Sequence, residues 1–305
     1  MTPFLLKAAP ETGPPQDYLF ARVRYRRSQL DLSGVSDPWP GQTPEEGVQA
    51  ACRWVFDRMN PALSRYLRPY LELVAGQSLI HALRLSRAEK RESLGHLLQR
   101  SLLHPLLQKQ IITATSIEPL AAFLERWLAP ECPQMDGLLA TYQRQGPGGL
   151  EEQLEAGLLR RAVSAVRSTP VCRLLTWLVD RRNLLSIAKF WRWQVEQEPP
   201  LLPGGSVSRV RLQRLWRLHD GAAFGLVVKR ISGFDEPPAA DPPSIELSLL
   251  QGISKDLHRL GRDPLGPGVL VDYLWCCQVA ARNRALFLNL GEEQEYLLNE
   301  TLVVV

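Results

Sequence analysis

The sequence contains none of the motifs that bind nucleotide phosphates or activate a catalytic nucleophile. A GxxxxGK[ST] phosphate loop, a GxSxG nucleophile elbow and an HExxH zinc motif are all absent. The nearest glycine cluster, GRDPLGPG from Gly261, has proline where a phosphate loop needs lysine and free backbone amides, so it predicts a turn. The five histidines show no ligand spacing with cysteine or carboxylate residues. We therefore expect no catalytic residue, no cofactor and no metal.

The polar residues with the most informative spacing are Asp180 and Asn183. On a helix, residues three apart are neighbours, and this pair lies beside the apolar residues Trp177 and Leu184. A buried polar group without a partner costs about 1–3 kcal/mol, so we expect the pair to tie its helix to an adjacent turn by hydrogen bonds. Direct contact with a partner protein is the alternative.

A third polar candidate, Asn283, falls within an apolar stripe of helical spacing. The stripe runs from Tyr273 through Cys276 and Ala280 to Phe287. Stripes of this kind face the core more often than an interface. We therefore expect Asn283 to be a polar tie between helices, with partner binding as the alternative.

The arginines near the start of the chain form a second kind of candidate. Arg22 and Arg24 lie on a helix that we expect to begin near Asp17, and Arg22 shares a stripe with Tyr18 and Tyr25. This pattern predicts that Arg22 pairs with a buried carboxylate and that Arg24, Arg26 and Arg27 are solvated. Alternatively, some of these arginines face acidic loops of a partner, where charge complementarity sets orientation more than affinity.

The elements that position these residues are predicted to be helices. Leu, Arg, Glu, Gln and Ala dominate, and alternating apolar patterns are scarce, so the fold class is all-α. Thr43 and Glu46 form a capping box that starts one helix, and helical patterns follow over 62–85, 93–109 and 118–128. Another helix is expected to open at Ser206. The final YLLNETLVVV has a strand-like pattern, and the end of a helix is the alternative for this segment.

One helical segment is written three times along the chain. The copies begin at Leu73, Trp177 and Tyr273, and the aligned residues Ser78, Asn183 and Asn283 lie 105 and 100 residues apart. Short solenoid repeats have units of up to about 50 residues, so this period indicates a larger unit that has been tripled with pseudo-threefold symmetry. Proline- and glycine-rich breaks place the units at residues 1–140, which include the N-terminal helix, 141–235 and 236–305.

Composition limits the class of protein. The net charge of +4 is weak for a nucleic-acid binder, and the five cysteines show no CxxC pair, which indicates free thiols in a reducing compartment. The first fifteen residues, broken by prolines, do not have the pattern of a secretory signal. Apolar runs are far shorter than the roughly 20 residues that cross a bilayer. We therefore expect membrane association through partners only.

An ordered set of segments carries a family resemblance. These are YLFARVRYRRSQL from Tyr18, the helix over Asp180–Leu184, the PLLPGG turn, and LGPGVLVDYL followed by Asn283. Together they resemble the C subunit of the bacterial and archaeal V/A-type rotary ATPases, which is similar to the d subunit of the vacuolar enzyme. The resemblance covers most of the chain, from about residue 18 to residue 291, and depends on order and spacing rather than on a single motif.

This resemblance implies a fold, a location and a role. It implies three pseudo-threefold-related helical units that together form a funnel, peripheral on the cytoplasmic face of the membrane. Its partners would be the central shaft subunits and the membrane rotor ring. Its role would be a non-catalytic central-stalk adaptor that couples proton or sodium transport to ATP hydrolysis or synthesis.

The three copies match the family pattern unequally. The second copy keeps the aspartate and the asparagine of the pattern, at positions 180 and 183. In the third copy, Asn283 remains but Ala280, Arg284 and Ala285 replace its neighbours, and the first copy has Ala75 and Ser78.

Two other functions stay open from the residues. One is an unrelated all-helical scaffold or regulatory interaction protein, for which the repeat would be coincidental. The other is a nucleic-acid-binding helical protein that uses the arginines, which requires a contiguous basic groove and steeply salt-dependent binding. An enzyme is the least supported class, because the catalytic constellations are missing.

Overall fold

A computed structural model describes residues 4–166, 169–234, 241–290 and 302–303. Within these ranges the chain is all-α, as predicted, with twelve α-helices, a short 3-10 helix at Pro133–Met135 and no β-strand beyond one isolated antiparallel bridge between Leu6 and Leu103. The α-helices are α1 (Gln16–Ser28), α2 (Pro44–Phe56), α3 (Pro61–Arg87), α4 (Arg91–Arg100), α5 (Pro105–Thr113), α6 (Ile117–Leu128), α7 (Leu138–Ala165), α8 (Thr169–Arg192), α9 (Arg209–Leu218), α10 (Gly221–Ser232), α11 (Pro242–Leu260) and α12 (Gly268–Leu290).

The chain forms two compact units, each assembled from two stretches of sequence. The first unit contains residues 1–16 and 49–167, and the second contains residues 17–48 and 168–305. The sequence-based boundaries near 140 and 235 stay predictions.

The first compact unit is organised around α3, which packs against α7, α4 and α6. Asn60 caps α3, because its side-chain oxygen accepts a hydrogen bond from the amide of Leu63 at 2.9 Å. The buried Glu72 of α3 pairs with Arg68 one turn earlier and with Arg161 of α7. Removing one partner of a buried ion pair leaves an uncompensated charge, so these contacts fix how the two helices meet.

Helix α7 changes direction at a glycine and proline pair. Gly146 has φ 68° and ψ −161°, outside helical geometry, and Pro147 follows inside the element. Glycine tolerates this backbone because it lacks a Cβ atom, and proline suits the first turn of the helix that resumes. Residues 138–165 therefore form one helical element with a kink at Gly146.

The second compact unit is organised around α11, which packs against α8, α10 and α12. Trp177 of α8 and Trp275 of α12 meet edge to face, with ring centroids 5.4 Å apart. The indole N–H of Trp275 donates to Ser254 Oγ of α11 at 2.8 Å. This hydrogen bond satisfies the single donor of the buried Trp275 indole and ties α12 to α11.

Several local predictions can be compared with the observed helices. The capping box is confirmed, since Thr43 N–H donates to Glu46 Oε2 at 2.9 Å and Glu46 N–H donates to Thr43 Oγ1 at 3.2 Å. The single helix expected over 93–109 is wrong. The chain divides there into α4 and α5, because Pro105 cannot donate the backbone hydrogen bond that a continuous helix requires.

Two predictions near chain breaks have different outcomes. The helix expected to open at Ser206 begins at Arg209, with Ser208 as its N-cap. The strand-like run at the C-terminus lies outside the described residues except for positions 302 and 303.

Candidate functional site: asparagine anchors and arginine faces

Asn183 anchors the loop that follows α8. Its side chain is fully buried, and its Nδ2 donates to the carbonyl of Leu202 at 2.8 Å. The amide of Leu202 donates back to Asn183 Oδ1 at 2.7 Å. The backbone N–H and C=O of the buried Leu202 are therefore both satisfied by the Asn183 side chain. This is the tie between helix and turn that we expected from the spacing.

Asp180 holds the same loop a few residues further along. Its carboxylate accepts hydrogen bonds from the backbone amides of Ser206 at 3.0 Å and Val207 at 3.3 Å. Burial raises the pKa of Asp180, while the hydrogen bonds from Ser206 act in the opposite direction. A Cβ atom at Gly205 would lie 2.2 Å from Asp180 Oδ1, so the loop needs glycine there.

Asn283 of α12 makes an equivalent anchor with two loops. Its Nδ2 donates to the carbonyl of Val303 at 3.0 Å, and the amide of Val303 donates back to Oδ1 at 3.2 Å. The same Nδ2 also donates to the carbonyl of Leu32 at 2.7 Å. In both anchors the asparagine therefore binds the N–H and the C=O of one residue, 19 positions onward for Asn183 and 20 for Asn283.

The first copy of the repeated segment lacks this anchor. Ser78 is buried, but its hydroxyl donates to the carbonyl of Val74 in its own helix, at 3.2 Å. A hydroxyl on a short side chain cannot bind the N–H and the C=O of a distant residue as an amide does. The structure thus brings Asn183 and Asn283 into matching roles and places Ser78 in a different one.

The loop beneath Asn283 is closed by its own hydrogen bonds. Asp31 Oδ1 accepts from the amide and hydroxyl of Ser33, at 2.8 and 2.6 Å, and Oδ2 accepts from the amide and hydroxyl of Ser36, at 2.8 and 2.5 Å. These bonds, first those from the serine hydroxyls, hold the pKa of Asp31 well below its ordinary value.

The same loop approaches α12 closely at Gly34, which has φ +81°. A Cβ atom at Gly34 would lie 2.7 Å from the carbonyl oxygen of Asn283. Arg284 completes the contact, because its guanidinium donates to the carbonyls of Gly34 at 3.2 Å and Val35 at 2.9 Å. The loop is thus fixed to α12 by both Asn283 and Arg284.

The arginines of α1 are placed differently from the sequence-based prediction. Arg22 is exposed, as are Tyr18 and Tyr25, and Arg24 is half-buried. The residue that reaches a buried carboxylate is Arg27, whose Nε lies 2.6 Å from Oδ2 of Asp272. The pairing predicted for Arg22 and the solvation predicted for Arg27 are therefore both wrong, because the buried side of α1 is defined by Leu19, Phe20 and Val23 rather than by the tyrosine stripe.

The Arg27 pair belongs to a small polar cluster across α1, α11 and α12. Asp272 is buried, and Nδ1 of His258 lies 2.8 Å from Nη2 of Arg27 and 3.8 Å from Oδ2 of Asp272. Burial raises the pKa of Asp272, and the charges of Arg27 and His258 act against this rise. One signal for this cluster is present in the sequence: Asp272 is the single charged residue of the apolar segment GVLVDYLW. A carboxylate that is buried with such a segment needs a positively charged partner.

The thiols of the chain have the properties of core side chains. All five cysteines are free, and four of them are buried. Burial raises the pKa of both Cys52 and Cys276 to about 12, which disfavours the reactive thiolate. Across the described residues, no group of three or more His, Cys, Asp or Glu side chains is arranged to hold a metal ion.

Comparison with known proteins leaves the family open. The chain matches no protein-family model, and no curated protein matches it significantly. In the part of the chain that the structure describes, no helix has the length and apolar content to span a bilayer. The described part of the chain has an all-α fold. Its buried polar residues Asp180, Asn183 and Asn283 bind loops to helices.

Proposed function

We propose that this chain is the non-catalytic central-stalk adaptor of a V/A-type rotary ATPase, a divergent member of the C-subunit family. In this role it couples the central shaft to the membrane rotor ring, and so links ion transport to ATP hydrolysis or synthesis. It would sit peripherally on the cytoplasmic face of the membrane, held there by its partners. The proposal includes three pseudo-threefold-related helical units arranged as a funnel.

The observation that carries this proposal is the matched geometry of the two anchors. Asn183 and Asn283 are equivalent positions of the sequence repeat, and each binds both backbone groups of a residue 19 or 20 positions onward. Chance similarity between two helices does not require the same side chain to make the same pair of bonds to a distant loop. The shared geometry supports descent from one repeated unit, which the resemblance to the rotary ATPase family also implies.

The anchors suit a protein that transmits torque. A loop fixed to its helix by several buried hydrogen bonds resists displacement better than a loop held by solvated contacts, because each buried bond that breaks leaves an unsatisfied group at a cost of about 1–3 kcal/mol. Asp180 and Arg284 add further bonds to the loops that Asn183 and Asn283 hold. Stiff connections of this kind serve an adaptor and need no catalytic centre.

Reconstitution with the proposed partners tests this function. The chain is co-expressed with the ring and the shaft proteins of the same organism, together and separately, and complexes are sized by light scattering after chromatography. We expect a complex containing all of them, and we expect the reading frames beside this gene to encode ring, stator and nucleotide-binding proteins of the same enzyme.

A chain that stays monomeric with both partners present would refute the adaptor function. Binding to RNA or DNA that weakens steeply with salt would instead favour the nucleic-acid alternative. An experimental structure in which the three predicted units do not superpose would favour an unrelated helical scaffold.

A further inference from the structure

The basic residues of this chain are concentrated in the segment that contains α9. Residues 181–234 hold ten Lys and Arg against three Asp and Glu, a net charge of +7, although the whole chain carries only +4. The remaining sequence is therefore slightly acidic. A charge difference of this kind within one chain steers association with partners of opposite sign.

Helix α9 presents much of this charge outward. Leu212 and Leu215 are buried and fix one side of the helix to the protein. At 3.6 residues per turn, the opposite side carries five exposed side chains. These define the α9 face: Val210, Arg211, Arg214, Arg217 and Leu218.

Two arginines of the α9 face lack an ion-pair partner among the described residues. Arg217 lies 3.3 Å from Glu198, but Arg211 and Arg214 are exposed and make no salt bridge there. The two apolar members are also open to solvent, with Val210 76% and Leu218 62% exposed. The face thus combines unneutralised guanidinium groups with apolar side chains that gain from being covered.

We propose that the α9 face docks an acidic helix of a protein partner. This inference does not depend on the rotor function proposed above. Arginine is enriched at the centres of protein interfaces, and a planar guanidinium matches a carboxylate in a bidentate fork. Arg211 and Arg214 lie three positions apart, and Val210 lies four positions before Arg214, so a partner helix can place carboxylates beside both arginines and an apolar side chain over Val210.

Two other kinds of partner fit these residues less well. A membrane-surface helix buries its apolar side in lipid, but that side of α9, with Leu212 and Leu215, already packs inside the protein. Single-stranded nucleic acid binds to basic grooves lined with aromatic side chains on which bases stack, whereas the apolar members of the α9 face are the aliphatic Val210 and Leu218 at its two ends.

The size of the face sets the expected strength of binding. Ten residues at 1.5 Å rise span about 15 Å, so the contact falls in the small, transient class of interfaces below about 1,200 Å². We expect micromolar affinity that decreases with salt, because exposed ion pairs are screened over about 10 Å.

Binding of matched probes to the full chain, measured by fluorescence anisotropy, tests the proposal. The first probe is an alanine-based helical peptide of about 20 residues with glutamates and a leucine along one face. The second has the same composition with the glutamates spread around the helix. Single-stranded RNA of equal charge and vesicles containing phosphatidylserine are the third and fourth.

We expect the first peptide to bind about tenfold more tightly than the second, and more tightly than RNA or vesicles. The double variant Arg211→Gln, Arg214→Gln should bind the first peptide roughly fivefold to tenfold more weakly, because two exposed ion pairs with the glutamates of the peptide are lost. The control, Arg65→Gln with Arg126→Gln, removes equal charge from arginines that bond to carbonyls of their own helices and should change binding less than about twofold.

Equal binding of the two peptides would overturn the proposal. The α9 face would then respond only to the net charge of a peptide and not to the arrangement of its glutamates along one side of a helix. Tighter binding of RNA or vesicles than of the first peptide would overturn it as well. So would an absence of any effect of the paired substitution in a variant whose circular dichroism is unchanged.

Discussion

Replacing Asn183 by alanine should destabilise the second compact unit strongly. The substitution removes both hydrogen bonds to Leu202 and leaves the N–H and the C=O of that buried residue unsatisfied. Each unsatisfied group costs about 1–3 kcal/mol. Allowing for partial relaxation, we expect a loss of about 2–5 kcal/mol in the free energy of unfolding.

This loss can be measured by urea denaturation and by thermal unfolding. For a unit of roughly 150–250 residues, 1 kcal/mol shifts Tm by about 2–4 °C, so Asn183→Ala should lower Tm by about 4–20 °C. Hydrogen exchange supplies a local measurement, because the amide of Leu202 loses its acceptor and should exchange faster than in the wild type.

Three further variants sharpen the interpretation. Asn183→Asp keeps an acceptor but removes the donor to the Leu202 carbonyl, so it should cost at least as much as alanine. Asn283→Ala removes the equivalent bonds to Val303 and Leu32 and should fall within the same range. Ser78→Ala removes one bond to the carbonyl of Val74 in the same helix and should cost less than about 1 kcal/mol.

The reasoning would be refuted by an Asn183→Ala variant that loses less than about 1 kcal/mol. A loss no larger than that of Ser78→Ala, with unchanged exchange at Leu202, would show that water replaces the side chain without cost.

The remaining predictions concern Gly34 and two carboxylates. Gly34→Ala should cost about 1–3 kcal/mol, measured by thermal unfolding, because φ +81° strains any L-residue and the Cβ atom would meet the carbonyl of Asn283; a Tm equal to that of the wild type would contradict this. Asp31→Asn should destabilise at neutral pH, and the difference from the wild type should shrink as the pH falls below about 4, because the lowered pKa of Asp31 contributes stability that is lost as the carboxylate is protonated. A difference that stays constant in urea titrations between neutral and acidic pH would contradict that assignment. Arg27→Met should cost about 2–4 kcal/mol at neutral pH, because Asp272 loses its cation. That cost should decrease as the pH falls, since burial raises the pKa of Asp272 and its protonation relieves the unpaired charge; a cost that grows on acidification would refute this account.

The local part of this fold follows from the sequence. Helix-forming composition, the capping box of Thr43 and Glu46, and the spacing of Asp180 and Asn183 all depend on residues within a few positions of one another. Such short-range rules give the fold class, most helices and the expectation that the polar pair serves a turn. They failed over 93–109, where Pro105 divides the predicted helix.

The tertiary structure decided which distant groups meet. Asn283 binds a carbonyl 251 residues away, at Leu32, and no periodicity in the sequence identifies that partner. For the same reason the buried carboxylate pairs with Arg27 rather than with Arg22, because the side of α1 that is buried depends on the helices that cover it. The sequence by itself determined that buried polar residues needed partners, since an unsatisfied group is costly. Only packing determined which partners they have, because chain segments far apart in sequence become neighbours only in the folded unit.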